Sequence, residues 1–102
     1  MHPAAWTYIL TNSLRHTTLY VGSTVDLSIR LWEHRTKRRP KSFTARYNIF
    51  KLVYYEECDC IEEALNTERY IKGKTRKWKE ELINSVNPEW RDLTEEIMAR
   101  YG

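Results

Sequence analysis

Two apolar runs near the start of the chain have the composition of β-strands. Residues 6–11 and 18–23 are rich in Tyr, Ile, Leu, Val and Thr, and a largely polar segment, 12–17, joins them. This pattern predicts a hairpin with a long loop. Pairing between positions of equal parity would place Tyr8 and Tyr20 on one face, whereas a slip of one residue would separate them. The sequence alone leaves that register open.

A helix is predicted after the hairpin, over 27–37. Asp26 is a good N-cap residue, and Leu27 and Leu31 are one turn apart, so they form the inner edge of the helix. A third strand is predicted further along, at 50–56, where aliphatic and tyrosine residues dominate.

A cluster of cations lies between this helix and the third strand. Pro40 and Phe43 interrupt the segment 35–46, which is therefore predicted to be a basic loop. With its aromatic residues Phe43 and Tyr47, it has the character of a nucleic-acid contact surface as much as that of a solvated loop. Its cations are Arg35, Lys37, Arg38, Arg39, Lys41 and Arg46.

The next predicted helix carries one unusual carboxylate. Asp59 with Glu62 forms a capping box at its start, and Gly73 is a natural C′ residue at its end. At 100° per residue, Glu68 falls inside the apolar stripe, which is the wrong side for a solvated carboxylate. The apolar stripe consists of Ile61, Ala64, Leu65 and Ile71.

Two further helices are predicted in the last third of the chain. Thr75 caps a helix through Asn84, which ends before Asn87-Pro88. A short terminal helix over 93–101 either packs or frays. The chain is expected to be a single domain over 1–102, with a core at about 6–93 and a helical tail at 94–102.

Composition and charge narrow the class of protein. A chain of 102 residues with 41% hydrophobic and 13% aromatic residues has enough apolar area for one folded core, which argues against disorder. A net charge of +3 is too small for a dedicated polybasic binder. Cys58 and Cys60 are too close together and too few for a zinc ribbon, so a reduced, cytoplasmic protein without membrane insertion or secretion is expected.

Glu68, Arg30 and His34 are the candidates for chemistry. An ionised carboxylate buried without a partner is costly, so Glu68 is paired, as in a buried pair with arginine, or is protonated, or faces a cleft that a cation can reach. Mg²⁺ is often held by one or two carboxylates together with water and phosphate. Arg30 could clamp a phosphate and His34, one turn along, could handle a proton, although the same spacing is common on ordinary helices.

The order of these residues resembles the GIY-YIG nuclease domain. The resemblance rests on Tyr8-Ile9-Leu10, Leu19-Tyr20-Val21-Gly22, Leu27-x-x-Arg30-x-x-x-His34 and Ala64-Leu65-x-x-Glu68-x-x-Ile71-Lys72. The C-terminal run Leu82-Ile83-x-x-x-Asn87-Pro88-x-Trp90-x-Asp92-Leu93 is similar to the small stand-alone bacterial members, the UPF0213 group. Thr7 replaces the glycine of the first motif.

The resemblance implies an α+β fold, a small three-stranded antiparallel sheet flanked by helices. It also implies metal-dependent hydrolysis of DNA phosphodiesters, in repair, recombination or turnover. Tyr8, Tyr20, Arg30 and His34 correspond to the catalytic residues, and Glu68 to the ligand of one Mg²⁺ or Mn²⁺ ion. Either tyrosine could be the base, with the other orienting water or the metal shell, and Tyr20 is favoured because Gly22 would leave room for a phosphate. The partner implied is DNA, whether duplex, branched or single-stranded, with no membrane and no obligate protein partner.

Two other functions remain open from the sequence. One is a non-catalytic nucleic-acid-binding module that retains the nuclease fold. The other is a protein-interaction domain whose contact surface includes Trp78, Trp90 and the terminal helix. Metal-dependent cleavage that disappears in Glu68→Ala would distinguish the nuclease from both.

Overall fold

A three-stranded antiparallel sheet forms the centre of the computed structural model, which describes residues 3–13 and 15–102. Strands β1 (Ala5–Asn12), β2 (Leu19–Thr24) and β3 (Ile49–Cys58) lie in the order β2-β1-β3. Five helices complete the described residues, so the predicted α+β class and its sheet are confirmed. Residues 1, 2 and 14, which the predicted domain and hairpin loop include, lie outside the described residues.

The register of the hairpin places both motif tyrosines on one face. Tyr8 is opposite Gly22 and Leu10 is opposite Tyr20, so pairing joins positions of equal parity. Tyr8 and Tyr20 are therefore diagonal neighbours across the strand pair, a distance that aromatic side chains can span.

The five helices cover both faces of the sheet. They are α1 (Leu27–Arg35), α2 (Phe43–Arg46), α3 (Ile61–Lys72), α4 (Arg76–Val86) and α5 (Thr94–Tyr101). On one face, Tyr8 and Leu10 pack in a cluster with Leu27 and Leu31 of α1 and Ile97 of α5. No helix within residues 3–13 and 15–102 is long and apolar enough to cross a membrane.

The opposite face of the sheet belongs to α3 and α4. Ile9 of the central strand packs there with Ile71 and Ile83. Strand β1 is consequently buried on both faces, which is why it reads as a nearly continuous apolar run.

Helix α1 begins as predicted and ends early. The Asp26 side chain accepts a hydrogen bond from the Ile29 backbone nitrogen, and Leu27 and Leu31 are buried as expected. The helix ends at Arg35 rather than at residue 37, because Lys37 has a φ of 55°, which no α-helix continues.

The segment predicted to be a basic loop contains a helical turn. Ser42 is the N-cap of α2, and its hydroxyl accepts from the Ala45 nitrogen. The prediction of a loop throughout 35–46 was therefore wrong at its end. Thr44 and Ala45 are buried, so the turn is anchored to the fold.

The start of α3 differs from the sequence prediction. Cys60 is the N-cap and no side chain caps the helix, so the predicted capping box of Asp59 and Glu62 does not form. Leu65 is 42% exposed and leaves the predicted apolar stripe. The helix does end at Gly73, whose φ of −77° is ordinary helical backbone rather than a left-handed turn.

The two C-terminal helices close the core. Thr75 caps α4 as predicted, and the helix continues to Val86 before Asn87 ends it. The Asn87 amide donates to the backbone oxygens of Val53 and Arg91, which ties this turn to β3. Ile97 of α5 is fully buried, so the terminal helix packs rather than frays, and the core extends beyond residue 93.

Candidate active site

The ring of Tyr8 covers Gly22 of the neighbouring strand. Tyr8 is fully buried, and a Cβ atom on Gly22 would lie 2.6 Å from its hydroxyl oxygen and 3.2 Å from Cε2 of Tyr20. Only glycine leaves enough space for this arrangement. The expectation that Gly22 keeps room for a phosphate needs correction, because the Tyr8 ring fills that space.

His34 connects the tyrosines to α2. Its Nε2 atom is 3.3 Å from the Tyr8 hydroxyl oxygen, and its Nδ1 atom is 2.9 Å from Oγ1 of Thr44. The Tyr20 ring packs edge-on against the same imidazole, with ring centroids 5.8 Å apart. In the tautomer protonated on Nδ1, Tyr8 donates to Nε2 and Nδ1 donates to Thr44, so both ring nitrogens are satisfied.

Burial sets the protonation of this pair. It lowers the pKa of His34 to about 4, with the Arg30 charge acting in the same direction and Glu33 opposing it. Burial also raises the pKa of Tyr8 well above its ordinary range, with Tyr20 adding to the rise and Arg30 opposing it. At neutral pH the imidazole is therefore neutral and the Tyr8 phenol is protonated.

A small cationic cleft opens beside His34, with a volume of about 170 Å³. Arg30, Lys37 and Arg39 contribute three positive charges to its lining, against the single carboxylate of Glu33. Arg30 Nε lies 3.4 Å from that carboxylate and its side chain is 41% exposed, so the guanidinium is accessible to a ligand. Size and charge suit a phosphate group. The remaining lining residues are Tyr20, His34, Ser42, Phe43 and Thr44.

Glu68 approaches from the other face of the sheet, at the edge strand β2. The Ser23 hydroxyl donates to Glu68 Oε1, and Lys72 Nζ lies 2.5 Å from Oε2. Glu68 is not part of the cleft lining, and its charge is the smallest contribution to a rise in the Tyr8 pKa that is due mainly to burial. The structure therefore brings Tyr8, Tyr20, Arg30 and His34 together on one side of β2 and places Glu68 on the other side.

The Glu68 carboxylate is ionised at neutral pH. Burial raises its pKa, but the hydrogen bonds from Lys72 and Ser23 outweigh that effect and hold the pKa of Glu68 below its usual value. The Glu68 side chain is only 18% exposed, and its charged partner is Lys72 rather than an arginine.

The oxygen atoms around Glu68 suit a hard divalent cation, with one carboxylate and one hydroxyl available. Within the described residues there is no group of three or more His, Cys, Asp or Glu side chains that could hold a metal ion. An ion at Glu68 would therefore need water and substrate phosphate as its other ligands. That is a common arrangement for Mg²⁺.

The six cations predicted to bind nucleic acid do not all reach the cleft. Lys37 and Arg39 line it, but Arg35 turns away and its Nη2 atom donates to Asp92 at 2.8 Å. The other three are not part of the cleft lining: Arg38 lies over the Trp32 ring, Arg46 lies over the Tyr47 ring, and Lys41 is exposed.

Several site residues were missed by sequence reasoning. Ser23 and Thr44 have no sequence signal, because their contacts depend on the hairpin register and on the docking of α2. Lys72 did have one, since it lies one helical turn from Glu68. Phe43, by contrast, was singled out in the sequence. It is 52% exposed and lies at the cleft, with its ring centroid 5.0 Å from that of Tyr47.

Comparison with known protein families identifies the family to which the chain belongs. The family described as the GIY-YIG catalytic domain matches residues 4–81, which is most of the chain. The match includes every motif residue of the site, from Tyr8 to Glu68.

Known relatives narrow the assignment. A UPF0213 protein of Syntrophus aciditrophicus is 38% identical over 72 residues, covering 71% of this chain and 82% of that protein. A UPF0213 protein of Streptococcus pneumoniae is 33% identical over 84 residues, covering 82% of each chain. The solution NMR structure of a UPF0213 protein from Bacillus halodurans matches with a TM-score of 0.54 and 25% identity, covering 89% of this chain and 94% of that one. The chain therefore belongs to the GIY-YIG family, and within it to the small UPF0213 proteins.

Proposed function

We propose that this protein is a divalent-metal-dependent endonuclease that hydrolyses phosphodiester bonds of DNA, in repair, recombination or turnover. The observation that carries the proposal is the cationic cleft in which Arg30, Tyr20 and His34 meet. A cleft of this charge and size fits one phosphate of a nucleic-acid backbone. Membership of a nuclease family agrees with that chemistry.

Substrate binding is assigned to the cations of the cleft. Arg30 contacts the scissile phosphate through its planar guanidinium, which also stabilises charge that develops on the phosphoryl oxygens. Lys37 and Arg39 contact neighbouring phosphates. The exposed Phe43 ring offers a surface for a base or sugar beside them.

Proton handling is divided between the two tyrosines. Tyr20 lines the cleft and can contact an attacking water, so we assign it as the general base. In this role it acts as the phenolate: its own proton leaves to solvent through the open cleft first, and the phenolate oxygen then takes the proton of the attacking water. Tyr8 is fully buried and cannot touch water, so we assign it as a positioning residue that orients His34. Gly22 acts indirectly, because it admits the Tyr8 ring.

Metal binding is assigned to Glu68, with the Ser23 hydroxyl beside it. A bound Mg²⁺ or Mn²⁺ ion would supply a Lewis acid for the scissile phosphate and leaving oxygen. Because Glu68 is already ionised, no proton has to leave before a cation binds.

The test is cleavage of labelled duplex, branched and single-stranded DNA with Mg²⁺ or Mn²⁺, and with EDTA. Removing one electrostatic stabiliser commonly lowers a rate by about 10²–10³, so we expect such losses in Glu68→Gln and Arg30→Ala. Glu63→Gln, an exposed carboxylate on the same helix, is the matched control and should cleave normally. Absence of cleavage by the wild-type protein, or normal cleavage by Glu68→Gln, would refute the proposal.

A non-catalytic DNA-binding module is the second candidate. The observation that favours it is the ion pair between Lys72 and Glu68, which occupies the carboxylate that an ion would need. This alternative predicts salt-dependent DNA binding without cleavage under any divalent metal.

A further inference from the structure

We propose that Lys72 is a positioning residue of the active site, whose ammonium group competes with the divalent ion for the Glu68 carboxylate. The inference rests on the proposed function, because it assumes that Glu68 is the metal ligand. It adds a role for Lys72, which the sequence pattern includes without assigning it a function, and it makes the affinity for metal depend on this side chain.

Both oxygens of Glu68 are already engaged in the protein alone. Ser23 donates to Oε1, and Lys72 Nζ lies 2.5 Å from Oε2. The carboxylate is mostly buried, with 18% of the side chain exposed, so bulk water cannot replace either partner freely. An incoming cation therefore has to displace Lys72 or share its oxygen.

Lys72 is suited to be displaced. Its side chain is 54% exposed, so its ammonium can move into solvent at little cost, whereas Ser23 is fixed in strand β2. A carboxylate with a single mobile cation stays ionised and in place, but it binds a second cation more weakly.

An ordinary helical ion pair would leave metal affinity unchanged. Glutamate and lysine four residues apart are common on helices and give small stabilisation. The distinction is that this carboxylate is mostly buried beside the edge strand β2, where a second donor, the Ser23 hydroxyl of the sheet, holds it. The decisive readout is thus metal affinity rather than stability or activity alone.

The experiment measures Mn²⁺ binding by the free-Mn²⁺ signal in electron paramagnetic resonance, with no DNA present. The variants are Lys72→Met, Lys72→Gln, Glu68→Gln and Lys77→Met, the last being an exposed lysine on α4 that matches the change in net charge. Loss of one competing, partly exposed ion pair should tighten Mn²⁺ binding about twofold to fivefold in both Lys72 variants. Lys77→Met should bind Mn²⁺ as the wild-type protein does.

The outcomes separate this inference from the proposed function. If Glu68→Gln abolishes Mn²⁺ binding while both Lys72 variants bind no tighter than Lys77→Met, the role of Lys72 is refuted and the metal site stands. If Glu68→Gln binds Mn²⁺ like the wild-type protein, the metal site itself is refuted. Tighter binding in both Lys72 variants, lost again in a Glu68→Gln/Lys72→Met double variant, supports competition at this carboxylate.

Discussion

A hydrogen atom in place of a side chain at Gly22 leaves the space that the Tyr8 ring fills beside Tyr20, on the face that the strand register gives to both tyrosines. The Tyr8 ring lies directly over this residue, and the Tyr20 ring lies beside it. The backbone at Gly22 has no left-handed conformation, so the requirement is one of space rather than of φ. The role of this glycine in the second motif is therefore to seat Tyr8 against His34.

Gly22→Ala should lower the free energy of unfolding by about 1–3 kcal/mol, because the added methyl group forces the buried Tyr8 ring to move. Cleavage should fall as well, since His34 loses its partner. Gly73→Ala is the matched control, because its Cβ would meet nothing nearer than 3.6 Å. Urea unfolding of both variants measures the difference, and equal midpoints would contradict the steric argument.

At the scale of elements, α2 completes the site although it is only one turn long. It brings Thr44 to Nδ1 of His34, while β1 brings Tyr8 to Nε2. The groups facing the imidazole are Tyr8 from β1, Tyr20 from β2, Arg30 and Glu33 from α1, and Thr44 from α2. The hydrogen bond from Tyr8 to Nε2, which ties α1 to β1, therefore depends on a neutral histidine, whereas Nδ1 can donate to Thr44 in either protonation state.

Stability should fall as the pH decreases from about 6.5 to about 4, the values for His34 in the unfolded and folded chain. In this window the unfolded histidine binds a proton and the folded one does not, so acid favours unfolding. The full contribution is present above pH 6.5. Urea unfolding across this range measures the slope.

His34→Gln removes the titrating group and should flatten that slope relative to the wild-type protein. His16→Gln is the control, because the pKa of His16 is also lowered but this side chain is in the loop between β1 and β2, not on α1. If the slope persists in His34→Gln but disappears in His16→Gln, the pH dependence comes from His16, which would contradict the prediction.

At the scale of the whole molecule, the packing of the chain rather than sequence position decides which of the clustered cations line the cleft. Arg35 and Arg39 belong to the same basic cluster, but Arg39 lines the cleft and Arg35 pairs with Asp92 on the side of α5. The two residues carry equal charge, so they form a natural comparison.

For DNA binding, Arg39→Gln should reduce the slope of log K against log salt concentration by about 1, as the loss of one phosphate contact does. Arg35→Gln should leave the slope unchanged, because its guanidinium is engaged by Asp92. Fluorescence anisotropy with a labelled duplex at several salt concentrations measures both. If both substitutions change the salt slope equally, DNA binding depends on membership of the basic cluster and not on position at the cleft, which would contradict the prediction.

Much of the fold was predictable because its signals are local. Asp26 and Thr75 cap their helices as their residue types indicate, and Leu27 and Leu31 are buried as their spacing requires. The errors arose where tertiary contacts decide: Leu65 is exposed because no element covers it, and α2 forms because Thr44 and Ala45 are buried against the fold. Neither is visible in local periodicity.

The candidate site shows the same division. The sequence by itself determined which side chains are the candidates for chemistry, because Tyr8, Tyr20, Arg30, His34 and Glu68 stand in a recognisable order on predictable elements. Only the tertiary structure decided their relations: the strand register seats Tyr8 over Gly22, burial leaves His34 neutral, and Glu68 meets Ser23 across the edge strand. The reason is physical, since residue type is a local property, whereas distance, burial and electrostatic partnership exist only once the chain is packed.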